Sequence, residues 1–227
     1  MTSSVRALVF DVNETLSDLN GLGPRLEEVG ASPGLVAEWF AGVLRDGFAL
    51  TAAGGYAEFT QVAAERLRVM LEERLDHTRD AHTDAQYVVE GIPGLPTHDD
   101  VCEGIRELYE AGLPLFAMTN GSAASAETFL RGAGLLDRFR AVLSVEEPRV
   151  WKPARAAYQY AAHRMGYKVQ ELMMVSVHPW DIDGARRAGL STAWLRRAAP
   201  AYPEFLGVPD LIVQALPHLA ALLPRQE

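Results

Sequence analysis

Four short polar segments interrupt otherwise apolar stretches of the chain: Phe10-Asp11-Val12-Asn13-Glu14-Thr15, Met118-Thr119-Asn120-Gly121-Ser122, Trp151-Lys152-Pro153 and Ser176-Val177-His178-Pro179-Trp180-Asp181. In turn they supply an acid, a hydroxyl beside an amide, a lysine and a second acid. These are the parts needed for nucleophilic substitution through an ester intermediate. A carboxylate attacks best when ionised, and an ammonium such as Lys152 lowers its pKa. Thr119 and the amides of Asn120 and Gly121 fall at a strand-to-helix junction, where backbone N–H groups and the helix dipole favour an anion or a leaving group. Taken singly, each segment has an ordinary explanation: a turn or helix cap for the acid, a solvated surface charge for the lysine, an N-cap for Thr119 to Ser122. Their order and placement give them weight together.

That placement follows from the elements around them. Arg6 to Val12 is an apolar run rich in β-formers that stops at Asn13-Glu14-Thr15, the pattern of a buried strand ending at an acid. From Val101 onward helices and strands alternate: a helix to Ala111, a strand Leu113 to Met118, a helix near Ser122 to Arg131, and a strand Ala141 to Ser144. A helix from about Ala154 to Met165 and a strand Leu172 to Val177 follow, then a helix from about Asp181 to Ala188 and a strand Thr192 to Leu195. Such alternation predicts βαβ units and a mostly parallel sheet covered on both faces. All four polar segments then converge on the rim formed by the carboxyl ends of the strands. Between Leu16 and Pro96 the apolar residues recur at helical spacing instead, through Leu35-Val36-Trp39-Phe40-Val43-Leu44 and Phe59-Val62-Ala63-Leu67-Met70-Leu71. Pro93, Gly94 and Pro96 mark the return to the sheet pattern. The expected organisation is a core of residues 1–15 and 97–227 with a helical cap, 16–96, above the strand ends, where open α/β sheets bind ligands. The tail ending in Pro224-Arg225-Gln226-Glu227 is expected to fray.

The four segments resemble the four motifs of the haloacid dehalogenase superfamily, and they resemble most closely those of its L-2-haloacid dehalogenase subgroup. Thr-Asn-Gly-Ser is similar to that subgroup's second motif, Lys-Pro followed by Tyr158 to its third, and Ser-x-His-x-Trp-Asp to its fourth with one change. The resemblance implies an α/β fold with a Rossmann-like, doubly wound parallel sheet and a helical cap inserted after the first strand. It also implies Asp11 as nucleophile, Thr15 orienting it, Thr119 and Lys152 holding its charge, and Ser176, Tyr158 and Asp181 completing the pocket. Where this subgroup usually carries Asn the chain has His178, which with Asp181 is a candidate to hold or deprotonate the hydrolytic water, or else simply bonds a loop backbone. Asn120 and Trp180 are candidates to meet a departing halide. In the resembled enzymes a cap Trp precedes an Arg that handles the substrate or the halide. Here Trp39 precedes Phe40, so that cation is missing, and Arg45 is a candidate to reach the site from a later turn.

Superfamily phosphatases place a second Asp two residues after the nucleophile and a magnesium-binding Asp four residues before the position of Asp181. This chain has Asn13 and Val177 there. An amide cannot serve as general acid, and a valine side chain offers a hard cation no oxygen. The expectation is therefore a hydrolase of a small 2-haloacid-like substrate, using a covalent aspartyl ester and neither metal nor cofactor. A magnesium-dependent phosphatase and a catalytically quiet relative stand as alternatives. The net charge of −9 and the absence of a basic stripe argue against nucleic acid. No apolar run approaches a membrane span, and Met1 to Val5 lacks a secretory pattern, so a cytoplasmic location is expected. The one cysteine, Cys102, is read as a buried small apolar side chain on a helix. The partner is a small molecule, and the resemblance makes a homodimer an option.

Overall fold

The computed structural model describes residues 5–74, 79–197 and 201–223, so the tail expected to fray, 224–227, lies outside the described residues. In chain order the elements are β1 (Ala7–Phe10), α1 (Gly23–Glu28), α2 (Leu35–Ala52), α3 (Phe59–Arg74), α4 (Ala81–Val89), α5 (Val101–Glu110), β2 (Leu115–Thr119) and α6 (Ala123–Gly132). They continue with β3 (Phe139–Ser144), α7 (Arg155–Met165), β4 (Leu172–Ser176), α8 (Pro179–Ala188), β5 (Ser191–Leu195), β6 (Leu211–Val213) and α9 (Leu216–Leu222). All strands pair in parallel, in the order β3-β2-β1-β4-β5-β6. The direction of winding reverses between β1 and β4, and in such sheets the crevice at that reversal binds ligands.

β1 is buried at every position because it has helices on both faces. Its side chains alternate: Ala7 and Val9 join the core that continues into α2, α3, α4 and α7, while Leu8 and Phe10 join the core formed with α5, α6 and α9. The same period of two runs along β4, where Leu172 and Met174 face one way and Met173 and Val175 the other. Phe10 is level with Ala117 of β2 and Val175 of β4. That register brings the residues just past these three strand ends to one rim.

Among the described residues no strand lies between β1 and β2; α1 to α5 occupy that interval, the first four of them within 16–96. Two elements absent from the sequence reading are β6 and α9, whose apolar runs of three and seven residues are too short for periodicity to register. Cys102 is exposed, which corrects the buried reading. α5 turns Val101, Gly104, Ile105 and Leu108 inward, and a residue one step past Val101 points about 100° away from that face. No described helix is long and apolar enough to cross a membrane.

The inserted helices reach the sheet through Trp151. Its indole stacks on Phe59 of α3 at 5.8 Å, its Nε1 donates to the Ala57 carbonyl, and its backbone N–H donates to Thr51 of α2. A Cβ placed on Gly47 of α2 would come within 2.3 Å of the Trp151 ring, so only glycine lets the helix approach this closely. Gly47→Ala is therefore expected to lower unfolding stability by about 1–3 kcal/mol through overpacking. Gly132→Ala, at a helical position with nothing within 4 Å, should be neutral or stabilising by up to ~1 kcal/mol. Denaturant midpoints of the two variants compare these outcomes directly.

Candidate active site

Asp11 follows β1 directly, and its backbone N–H donates to Val175 of β4. Glu14 then adopts a positive φ of 61°, a conformation costly for a residue with a side chain, and the chain doubles back so that Thr15 faces Asp11. Thr15 Oγ1 donates to Asp11 Oδ2 at 2.7 Å and accepts the Val177 N–H at 3.1 Å, which fixes the direction of its proton. The strained turn is clamped from outside. Arg197, just past β5, donates to the carbonyls of Glu14 and Thr15 at 3.0 and 2.7 Å and to the carboxylate of Asp100. Asp100 in turn accepts the N–H of Leu216 at the start of α9. Arg197 and Asp100 escaped the sequence reading. The available signal was that Arg197 stands two residues past a predicted strand, the same register that marked the other segments.

Lys152 is fully buried, and its Nζ donates to Asp11 Oδ1 and to Asp181 Oδ2, each at 2.8 Å, and to the Met118 carbonyl at 3.1 Å. Three donors and three acceptors leave the ammonium satisfied. Asn120 aligns it: its side chain accepts the Lys152 N–H at 2.8 Å and donates to the Lys152 carbonyl at 3.2 Å. That bracket uses the Asn120 side-chain oxygen and one of its two amide N–H groups, so Asn120 aligns the lysine. Asp181 lies in the first turn of α8, where the helix dipole favours an acid, and Tyr158 from α7 donates to its Oδ1 at 2.6 Å.

These contacts divide the two carboxyls. Burial alone would raise Asp11, but the charge of Lys152 and the hydrogen bonds from Lys152 and Thr15 outweigh it, and the group titrates below the ordinary value. Burial also dominates at Asp181. Repulsion from Asp11 adds to it, the attraction of Lys152 does not cancel it, and Asp181 titrates above the ordinary value. Lys152 loses from burial but gains more from the two carboxylates, so it stays charged. The two carboxyls are thus driven in opposite directions from the ordinary carboxylate value.

The other expected residues fall as follows. His178 Nε2 lies 3.0 Å from the Asn13 carbonyl and 3.6 Å from Asp11 Oδ2. A carbonyl only accepts, so Nε2 carries the hydrogen in that bond and has no lone pair there to take a proton from water. The loop-anchoring reading of His178 fits this geometry. Its ring also stacks on Trp180 at 5.0 Å and meets Phe40 at 5.9 Å, and Trp180 continues to Phe48 of α2 at 4.9 Å. Phe40 and Trp180 thus form an aromatic wall beside the carboxylate. Trp39 is buried between α2 and α3, its Nε1 donating to the Ala63 carbonyl, a packing position in place of the substrate contact expected of it. Arg45 is exposed and paired with Asp46, so it does not supply the missing cation. Ser176 Oγ accepts the His178 N–H and shapes the turn, and Thr119 Oγ1 accepts the N–H of Gly121. Thr119, Gly121 and the side of Asn13 border a cavity of about 810 Å³ between α3, α4 and α6. Among the described residues no three His, Cys, Asp or Glu side chains gather as a metal-ligand set.

Comparison with known proteins is consistent in family and extent. The model of the haloacid dehalogenase-like hydrolases matches residues 5–189. The chain is 30% identical over 199 residues to an (S)-2-haloacid dehalogenase 4A from Burkholderia cepacia, covering 87% of this chain and 85% of that protein. It is 29% identical over 214 residues to an (S)-2-haloacid dehalogenase from Pseudomonas sp. strain YL, covering 93% and 91%. A crystal structure of a dehalogenase with an intermediate complex superposes with a TM-score of 0.88 at 28% identity, covering 98% of this chain and 99% of that one.

Because Lys152 neutralises two buried carboxylates, Lys152→Met is expected to cost about 3–5 kcal/mol at neutral pH. With the ammonium gone both carboxyls have folded pKa values above their unfolded ones, a penalty present above the unfolded value and relieved as they protonate. The deficit against the parent chain should therefore shrink as pH falls toward about 4. Urea titrations of both proteins at a series of pH values read it. A deficit that is constant with pH would count against the triad as drawn.

Proposed function

Because the chain belongs to the haloacid dehalogenase-like hydrolases, we propose that it hydrolyses carbon–halogen bonds of 2-haloacid-like small molecules through an ester on Asp11. The observation that carries this reading is the buried Asp11 carboxylate, kept ionised by Lys152 and Thr15, with the next two residues, Val12 and Asn13, lining a cavity. Its relatives' names, (S)-2-haloacid dehalogenase, agree with it. The inserted helices, 16–96, act as a cap over the strand ends.

In the first step an Asp11 oxygen attacks the carbon bearing the halogen. The new C–O bond forms as the C–halogen bond breaks, and the halide leaves with the bonding pair. A halide is a weakly basic leaving group that needs no protonation, and the packed rings of Phe40, His178 and Trp180, with His178 3.6 Å from Asp11, offer it an aromatic wall. Water then attacks the ester carbonyl of Asp11. Asp181, raised by burial, takes its proton, while Lys152 and Thr15 stabilise the developing oxyanion. Collapse releases the hydroxyl product and restores the carboxylate. Tyr158 holds Asp181, and His178 holds the loop through Asn13. The scheme needs no metal: the charge between the two carboxylates is the chain's own ammonium, and Asn13 and Val177 stand where phosphatases carry acids.

A single turnover in ¹⁸O-water with excess enzyme should leave the product hydroxyl unlabelled and place the label in the Asp11 peptide, with EDTA making no difference. Label appearing at once in the product would mean that Asp11 activates water instead. Asp11→Asn should reduce halide release by at least ~10³-fold. Tyr158→Phe removes a hydrogen bond that lowers the Asp181 pKa, so base function is lost at a higher pH than in the parent. The acid limb of kcat should shift upward, and a pH–rate profile that does not move would assign the limb to another group.

A further inference from the structure

The cavity that begins at Val12 and Asn13, the two residues after Asp11, is far larger than a two- or three-carbon haloacid requires. At about 810 Å³ it lies in the range that accepts drug-sized ligands. Its inner end is Asn13, Thr119 and Gly121. Gly121 has no side chain to close the passage: a Cβ there would lie 3.3 Å from Thr119 Oγ1, 3.9 Å from Phe59 and 4.0 Å from Asn13 Nδ2. From this joint the walls run outward between helices. Phe59 and Ala64 come from α3, Val89 from α4, and Ala126 and Phe129 from α6. The outer rim is polar, with Thr60, His82, Gln86, Glu65 and Glu90, and Glu65 there is paired with Arg68.

Resting on the dehalogenase reading above, we infer that the natural substrate carries its halogen at the head of an apolar tail, of roughly six to ten carbons for a space of this class. The head reacts at Asp11, the tail lies along Phe59, Val89 and Phe129, and the far end meets Glu65 and Glu90. Burying each methylene contributes about 0.8 kcal/mol, so a tail that fills the apolar walls raises kcat/KM severalfold per carbon until the rim is reached.

The test is a series of 2-bromocarboxylates from three to ten carbons, with halide release followed on the parent chain, on Ala64→Leu and on Ser125→Leu. Both substitutions fill the cavity at half-buried positions, and melting temperatures confirm that they fold. The expected result is a rise in kcat/KM of about tenfold or more between three and eight carbons. That rise disappears in both variants when each is read against its own three-carbon rate. A flat or falling series, or a gain that survives both substitutions, overturns the inference and leaves the dehalogenase reading intact. Should no member release halide, the dehalogenase reading falls. Calorimetry with unreactive propanoate and octanoate then decides the tail alone: octanoate binding about tenfold tighter, with the difference lost in Ala64→Leu, upholds the apolar-tail site, and equal affinities refute it.

Discussion

One ammonium holds this site together. Lys152 is wholly buried and joins Asp11 just past β1, the Met118 carbonyl in β2 and Asp181 in the first turn of α8, which follows β4. Removing a charge from water costs several kcal/mol, and only a full set of acceptors offsets it. Much of the surrounding structure supplies that set. The register of three strands brings the acceptors level, and Asn120 grips the lysine's own peptide group. Tyr158 then takes the Asp181 oxygen that the lysine leaves. Because the two carboxylates share one cation unequally, one is driven below its ordinary pKa and the other above it.

The strand-end residues were legible because parallel strands buried on both faces stop abruptly where polarity begins. Asp11, Lys152 and Asp181 were found that way, and they meet within hydrogen-bond distance. What the sequence hid was direction. Trp39 and Phe40 are neighbours on a helix and so point about 100° apart, which sends one into the packing of α2 and α3 and the other to the His178 ring. Periodicity marks both as apolar without saying which faces the crevice. Asn120 and His178 were recognisable as polar residues beside the site, yet their partners are backbone atoms, the Lys152 peptide and the Asn13 carbonyl, and backbone partners leave no trace in residue type. β6 and α9 escaped because their cores are three and seven residues long, too few to display a period.

The turn after β1 illustrates how a strained segment is kept. Glu14 takes a left-handed conformation that no glycine is present to ease, and both carbonyls of the turn are held by Arg197, whose guanidinium is fixed by Asp100. Asp100 also caps the first N–H of α9. Orientation of the Thr15 hydroxyl is thus tied to an arginine and an acid that lie on the far side of the turn from Asp11.

The Trp151 contact gives the molecule a particular evolutionary constraint. The residue immediately before the buried lysine stacks on α3, is bonded to the segment joining α2 and α3, and is pressed against the bare backbone of Gly47. Exchanging the helical segment for that of a distant homologue would disturb the seat of Lys152 along with the specificity walls, so the two parts are inherited as a unit. Diversification toward new compounds has an easier route in single side-chain changes on the cavity faces of α3, α4 and α6, which leave that joint untouched.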